Sequence, residues 1–215
     1  MHLWDFFCIF VTYLQRDKKS DEEQIICLFK CFKIMENNND RQLTGALGES
    51  LVITELIKNG WVAVNANTSV RNHKSIDIIC VKCDEDTYKH KSALVQVKTR
   101  RGKDFPTGFN LYQSANLEFL EKEVKGPYVF VHIDNDNNPN FYVLSRSHFI
   151  KLLYELHIRY NNIPCQRPLN DKMPAELHLS LLQGNDGKSS KGIEGFKNPF
   201  PGNIFHNAWG NIWKE

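Results

Sequence analysis

Two short segments, residues 75–79 (SIDII) and 93–99 (ALVQVKT), set an acid, an amide and an amine among β-branched neighbours. Each reads as a strand, and a strand sends alternate side chains to opposite faces. Ala93, Val95 and Val97 then take one face, and Leu94, Gln96 and Lys98 the other. In the first segment Ile76, Ile78 and Cys80 share a face, while Asp77 points the opposite way with Ile79. A carboxylate and a lysine set among Val and Ile are costly to bury unless paired or bound to a metal. Two arrangements satisfy them. One is an Asp77–Lys98 ion pair tying neighbouring strands; the other is a divalent cation held against a substrate phosphate.

The element before them favours the second. Residues 44–59 (TGALGESLVITELIKN) carry Val52, Ile53, Leu56 and Ile57 at helical spacing, and Gly60 follows as a stop. Counting back by three and four places Glu49 on the same stripe, with Gly45 and Gly48 leaving that part of the helix bare. A first-turn glutamate is also favoured by the helix dipole alone. An acid on a core-facing stripe, followed in order by Asp77 and Gln96-Val97-Lys98, points instead to a shared site.

On these motifs the chain resembles the PD-(D/E)XK nucleases, over roughly residues 44–160. The family's order is a helix with an acid, a strand, a strand with Asp, and a strand with Asp, Glu or Gln two residues before Lys. Here these are Glu49 in GESLV, then WVAV at 61–64, Asp77 in IDI and Gln96-Val97-Lys98. The Gln-x-Lys form is most similar to the Mrr-type and Holliday-junction-resolvase-like branch. The resemblance implies an α/β fold, restriction-endonuclease-like: a mixed β-sheet flanked by helices with an αβββαβ core, here with an N-terminal helical extension. It also implies a Mg²⁺-dependent endonuclease acting on DNA, with Mn²⁺ as a substitute and 5′-phosphate and 3′-hydroxyl products. Glu49, Asp77 and Gln96 would hold the metal, which polarises the phosphate and acidifies a bound water. Lys98 would orient that water and offset charge in the transition state. Cutting two strands needs two sites, hence a homodimer. Gln96 is the departure, since many members carry a carboxylate there. An amide oxygen still ligates hard cations, but the cluster loses one negative charge, so weaker metal binding is expected. The alternative is a catalytically inactive module of the same fold that binds nucleic acid or a protein.

A chain of 215 residues suffices for one sizeable core with extensions, and its net charge of +2 argues neither for nor against nucleic acid. The distribution of charge says more. Residues 87–103 carry Lys89, Lys91, Lys98, Arg100, Arg101 and Lys103 with no acid, straddling the Gln96–Lys98 strand. Arg100, Arg101 and Lys103, with Arg71 in the loop that also holds Ser69 and His73, are the expected contacts to a phosphate backbone. The acidic run Asp84-Glu85-Asp86 reads as solvated surface. Six cysteines form no disulfide pattern. A zinc site on Cys80, Cys83 and another pair is conceivable, but Cys80 on the face of Ile76 and Ile78 reads as a core residue. Residues 3–14 (LWDFFCIFVTYL) are apolar but too short to span a bilayer, and lack the features of a signal peptide. The expectation is a cytoplasmic protein with no membrane partner.

Three regions are expected: an N-terminal helical extension over 1–40, the nuclease-like core over 41–161, and a loop-rich C-terminal extension over 162–215 packed on it. Residues 21–35 read as a helix, and ENNND at 36–40 as a linker. Residues 102–110 (GKDFPTGFN) read as a loop lining a substrate cleft, and 112–123 as a helix with Ala115, Phe119 and Leu120 inward. A hairpin is predicted from 128–133 to 141–144 across DNDNNPN. Ser147 is placed as the cap of a final helix whose stripe is Phe149, Leu152, Leu153 and Leu156. A short strand or helix is expected at 176–182. Phe196, Phe200, Phe205, Trp209 and Trp213 are expected to fold back onto the core, although aromatics among Lys188, Lys191 and Lys197 would also suit stacking on bases.

Overall fold

Helix α1 (Asp21–Lys58) ends as its sequence dictates. Gly60 adopts φ 77°, which closes a Schellman turn: the Trp61 N–H donates to the Leu56 carbonyl and the Gly60 N–H to that of Ile57, both at 3.0 Å. The computed structural model describes residues 21–66, 76–83, 90–162, 170, 172–187 and 195–213, with backbone alone at 21–39. The chain divides into two units, Met1–Leu43 and Thr44–Glu215. Residues 36–40, expected as a linker, are helical. Asn and Asp are weaker helix formers than Ala by only about 0.7 kcal/mol each, and this stretch contains neither Gly nor Pro.

The second unit is mixed α/β. Five strands, β1 (Val62–Asn65), β2 (Ile78–Cys83), β3 (His90–Arg100), β5 (Tyr128–Ile133) and β6 (Pro139–Leu144), form one sheet in the order β1-β2-β3-β5-β6. Only β3 and β5 run parallel; the other neighbours are antiparallel. The connection from β3 to β5 carries β4 (Asp104–Asn110), a 3₁₀ turn (Gln113–Ala115) and α2 (Leu117–Glu123). After β6 come α3 (Arg146–Asn161), β7 (Pro174–His178), the short α4 (Leu179–Leu182) and a 3₁₀ turn (Trp209–Trp213). The expected αβββαβ order is therefore present, with β6 and α3 following it.

Period-two alternation makes two cores. One face of the sheet joins Ile78, Cys80, Val95, Val97, Val129 and Val131 to Val52, Leu56 and Trp61 of the α1 side. The other joins Tyr128, Phe130, Tyr142 and Leu144 to the stripe Phe149, Leu152, Leu153 and Leu156 of α3. Phe196 and Phe205 pack into this second core, and Trp209 and Ile212 into the first. Lys197, the described lysine of the three expected to flank base-stacking aromatics, pairs with Asp186 at 2.7 Å; Lys188 and Lys191 lie outside the described residues.

Several local expectations change. Residues 102–103 are bends, but 104–110 are not a loop: β4 pairs with β7 as a separate two-stranded sheet, irregular between Pro106 and Asn110. Proline at a bulge or edge costs no ladder bond, which is why a Pro- and Gly-containing run still forms a strand here. Asn116 interrupts the helix expected over 112–123, its side chain accepting from the Phe119 N–H at 3.0 Å, and Ala115 is exposed. The cap of α3 is Ser145 rather than Ser147, accepting from the His148 N–H at 3.3 Å. Among the described residues no helix is long and apolar enough to cross a membrane.

Candidate active site

The site forms where β2 and β3 part. The ladder between them ends at Ile78 opposite Val95, while β3 continues to Arg100. Asp77 sits in a bend just before β2, not within a strand as its alternation suggests. Its N–H still donates to the Val95 carbonyl at 3.0 Å. Its side chain then replaces the next rung: Oδ2 accepts from the Val97 N–H at 2.7 Å and also from the Gln96 amide nitrogen. Beyond this point β3 has β5 on one side and no β2 neighbour on the other.

Helix α1 brings in the second acid. Gly48 lies so close to β3 that an added Cβ would fall 1.7 Å from Thr99 Oγ1 and 2.7 Å from its Cβ. Its bareness serves helix–strand packing rather than the approach of a ligand, and Gly45 faces open space. Glu49, the next residue, turns its carboxylate to Asn65 at the end of β1, whose Nδ2 donates to Oε2 at 2.7 Å. Parallel register sets Gln96 opposite Tyr128 and Lys98 opposite Phe130, on the face away from Val95 and Val97.

Electrostatics show that these groups sense one another. Burial raises the Glu49 carboxyl above its ordinary range; the Asn65 hydrogen bond opposes this, and the negative charge of Asp77 adds to it. Asp77 is likewise raised, chiefly by burial, against the opposing Val97 N–H and Lys98. Burial lowers Lys98, with both carboxylates pulling the other way. The Tyr128 hydroxyl is pushed up by burial and by Asp77. Among the described residues the ion pairs are Lys58–Glu55 and Lys197–Asp186, so Asp77 and Lys98 do not form the direct pair that a purely structural role would require. Two half-buried acids of like sign and a lysine are held together without direct neutralisation.

A divalent cation fits this donor set in one specific way. Hydrogen bonds to Asp77 fall on Oδ2 and that to Glu49 on Oε2, which leaves one oxygen of each acid for a ligand. Among the described residues no three His, Cys, Asp or Glu side chains converge, so the site offers two carboxylates rather than three. Gln96 presents its nitrogen to Asp77 and is buried; as a ligand it would act through its other end or through the adjacent backbone.

The expected nucleic-acid contacts are placed less uniformly. Arg100 is half-buried at the end of β3 and Lys103 is exposed just beyond. Arg101 is exposed and donates to Asn137 Oδ1, in the β5–β6 turn, at 2.7 Å. Lys91 lies at the other end of β3, 4.3 Å over the Trp213 ring. Arg71, Ser69, His73, Lys89 and Asp84-Glu85-Asp86 lie outside the described residues. Cys80 is in the core with its thiol pushed up to about 11 by burial, whereas Cys83 is exposed. Three positions along a strand face opposite ways, so these two sulfurs do not serve one zinc ion.

Sequence reasoning missed Asn65, Tyr128, Gln113 and Glu123. Asn65 holds Glu49; the other three join Gln96 and Lys98 in lining one cleft. No spacing rule marks them, because their proximity comes from the parallel β3–β5 register and the turn of α2. No family model matches this sequence, and no curated protein matches it.

Proposed function

We propose that this protein is a Mg²⁺-dependent endonuclease that hydrolyses DNA phosphodiester bonds, working in the cytoplasm as a homodimer and belonging with the PD-(D/E)XK nucleases it resembles. The observation that carries this reading is the convergence of Glu49, Asp77, Gln96 and Lys98 at the gap between β2 and β3, with both acids pushed up and the lysine pushed down by burial. Sites with such opposed shifts are where proteins concentrate reactive groups. Glu49 and Asp77 would hold a divalent cation, which would supply Lewis acidity toward the phosphate and acidify a water. Lys98 contacts the scissile phosphate and offsets the charge that grows on its oxygens as water adds and the P–O bond to the leaving oxygen breaks. A lysine whose pKa is lowered also accepts a proton from that water more readily at neutral pH than an ordinary one. Gln96 and the Val97 N–H fix the Asp77 carboxylate so that it cannot swing away.

The test is cleavage of supercoiled plasmid by purified protein with Mg²⁺. Wild type is expected to cut, and Asp77→Ala and Lys98→Ala are expected to lose at least about 10²-fold in rate while remaining folded. Undiminished cutting by either variant refutes the assignment. One observation favours a second reading, a non-cleaving nucleic-acid-binding module: the Gln96 nitrogen, not an oxygen, faces Asp77. That reading expects salt-sensitive DNA binding and no turnover with Mg²⁺ or Mn²⁺, and robust metal-dependent cutting eliminates it.

A further inference from the structure

Tyr128 opens β5 beside the site. Gly126 is pressed so close to β3 that a Cβ there would run into the Leu94 carbonyl, and the Gln96 N–H donates to the Pro127 carbonyl at 3.0 Å. These contacts fix the parallel register in which Tyr128 lies opposite Gln96, and alternation puts both on the face of Lys98. The ring is fully engaged: it stacks on Phe149 with 3.7 Å between centroids and belongs to the core. The hydroxyl is not. Among the described residues it has no hydrogen-bond partner, yet it is not sealed in, since Tyr128 lines a cleft of about 200 Å³ together with Gln96 and Lys98. The Thr107 hydroxyl in the same lining is, by contrast, satisfied, donating to the Ala175 carbonyl at 2.6 Å. A tyrosine only 7 % exposed normally finds a partner for its O–H.

We propose that the Tyr128 hydroxyl is a substrate contact, donating to one non-bridging oxygen of the phosphodiester whose other non-bridging oxygen lies at Lys98. This rests on the phosphodiester-hydrolase reading and adds a residue to it. Lys98 likewise has no ion pair among the described residues, so the cleft presents an ammonium and a phenol with nothing to receive their protons. Two such donors on one face of β3 and β5 suit a phosphate, whose charged oxygens strengthen both bonds. Burial and the charge of Asp77 push the phenol up, so it keeps its proton through neutral pH and remains a donor. Gln113, its Oε1 tied to the Asn110 N–H at 3.2 Å, adds amide N–H groups to the lining. Glu123 is the acid of that lining and repels phosphate from its own side, which leaves the wall of Lys98 and Tyr128. The bond that the hydroxyl lacks in the free protein forms only when the phosphate arrives, so the contact favours the bound state.

The test is Tyr128→Phe in the whole protein, which keeps the stacked ring and removes only the oxygen. Without DNA its melting temperature is expected to equal or exceed that of wild type, because no protein partner is lost. Fluorescence anisotropy with a labelled duplex, in EDTA so that nothing is cut, should show affinity about 3- to 10-fold weaker. Plotted as log affinity against log salt, its line should run parallel to that of wild type, since an uncharged donor releases no counterion. Lys98→Ala should instead flatten the slope by about 0.9. A melting temperature lowered by more than about 3 °C gives the hydroxyl a structural role and overturns the proposal, as does an unchanged affinity. Plasmid cleavage in Mg²⁺ separates it from the reading beneath it. Cutting at equal rates by wild type and Tyr128→Phe sinks the contact alone. Weaker binding by Tyr128→Phe with no cutting by either protein upholds the contact and sinks the hydrolase.

Discussion

Glu49 and Asp77 make the metal-free site a cost to folding. Their carboxyl pKa values are raised in the folded protein, so folding favours the protonated acids. Their contribution to stability is full below the ordinary carboxylate range and is lost as pH rises through the folded values. Glu49→Gln keeps an acceptor for the Asn65 N–H and removes the charge. It is expected to raise the melting temperature of metal-free protein at neutral pH, and its advantage over wild type should shrink as pH falls into the mildly acidic range. Thermal melts of both proteins across that range check this, and an advantage that grows in acid contradicts it. Mg²⁺ should reverse the order. Ligand binding to the native state stabilises by mass action, so added Mg²⁺ should raise the melting temperature of wild type and leave that of Glu49→Gln nearly unmoved. This readout needs no catalysis.

At the level of elements, the contact between α1 and β3 decides where Glu49 stands. The two glycines of that helix segment predict opposite outcomes. Gly48→Ala drives a Cβ into Thr99 Oγ1, Cβ and Cγ2, at 1.7, 2.7 and 2.8 Å, so no threonine rotamer escapes it. Urea unfolding should show a loss of about 1–3 kcal/mol and weaker Mg²⁺ stabilisation as Glu49 is displaced. Gly45→Ala meets nothing within 4 Å and should gain up to about 1 kcal/mol in helix propensity. Much at this scale was legible in the chain. Alternation located β3 and β5–β6, and 3.6-residue spacing found the stripe on α3 and most of that on α1, where Val52 and Leu56 are buried but Ile57 is exposed. Strand alternation suggested that Asp77, Gln96 and Lys98 meet, and helical spacing together with the family resemblance added Glu49. What could not be read was long-range. Nothing local says that β4 finds β7 across about sixty residues of chain, or that Asp77 leaves the ladder and offers its side chain in place of its backbone. The helix through 36–40 escaped because Asn-rich runs resemble linkers in composition while differing little from average residues in helix propensity.

For the whole molecule, net charge is too small to steer DNA over distance, so on the proposed nuclease reading the attraction would come from the local basic end of β3. Arg100, Arg101 and Lys103 follow Lys98 within five residues, and each phosphate contact releases condensed counterions. A triple alanine variant at these positions should flatten the plot of log affinity against log salt by about 3, measured on a single duplex. A slope unchanged from wild type would place the DNA elsewhere on the surface. The C-terminal aromatics contribute in a different way. Phe205, Trp209 and Ile212 are buried in the two cores, on either face of the sheet, so this aromatic-rich segment completes the fold rather than presenting rings to a ligand.

The rung that Asp77 supplies to β3 has a practical corollary. Val97 is a backbone amide bonded to an ionisable partner, and charge-assisted bonds of this kind are stronger than those to a neutral carbonyl. In a nuclear magnetic resonance spectrum its proton should lie downfield, drift as the carboxyl titrates, and jump when a cation arrives. That one resonance, vanishing from its position in Asp77→Ala, would watch the centre from inside without any substrate in the tube.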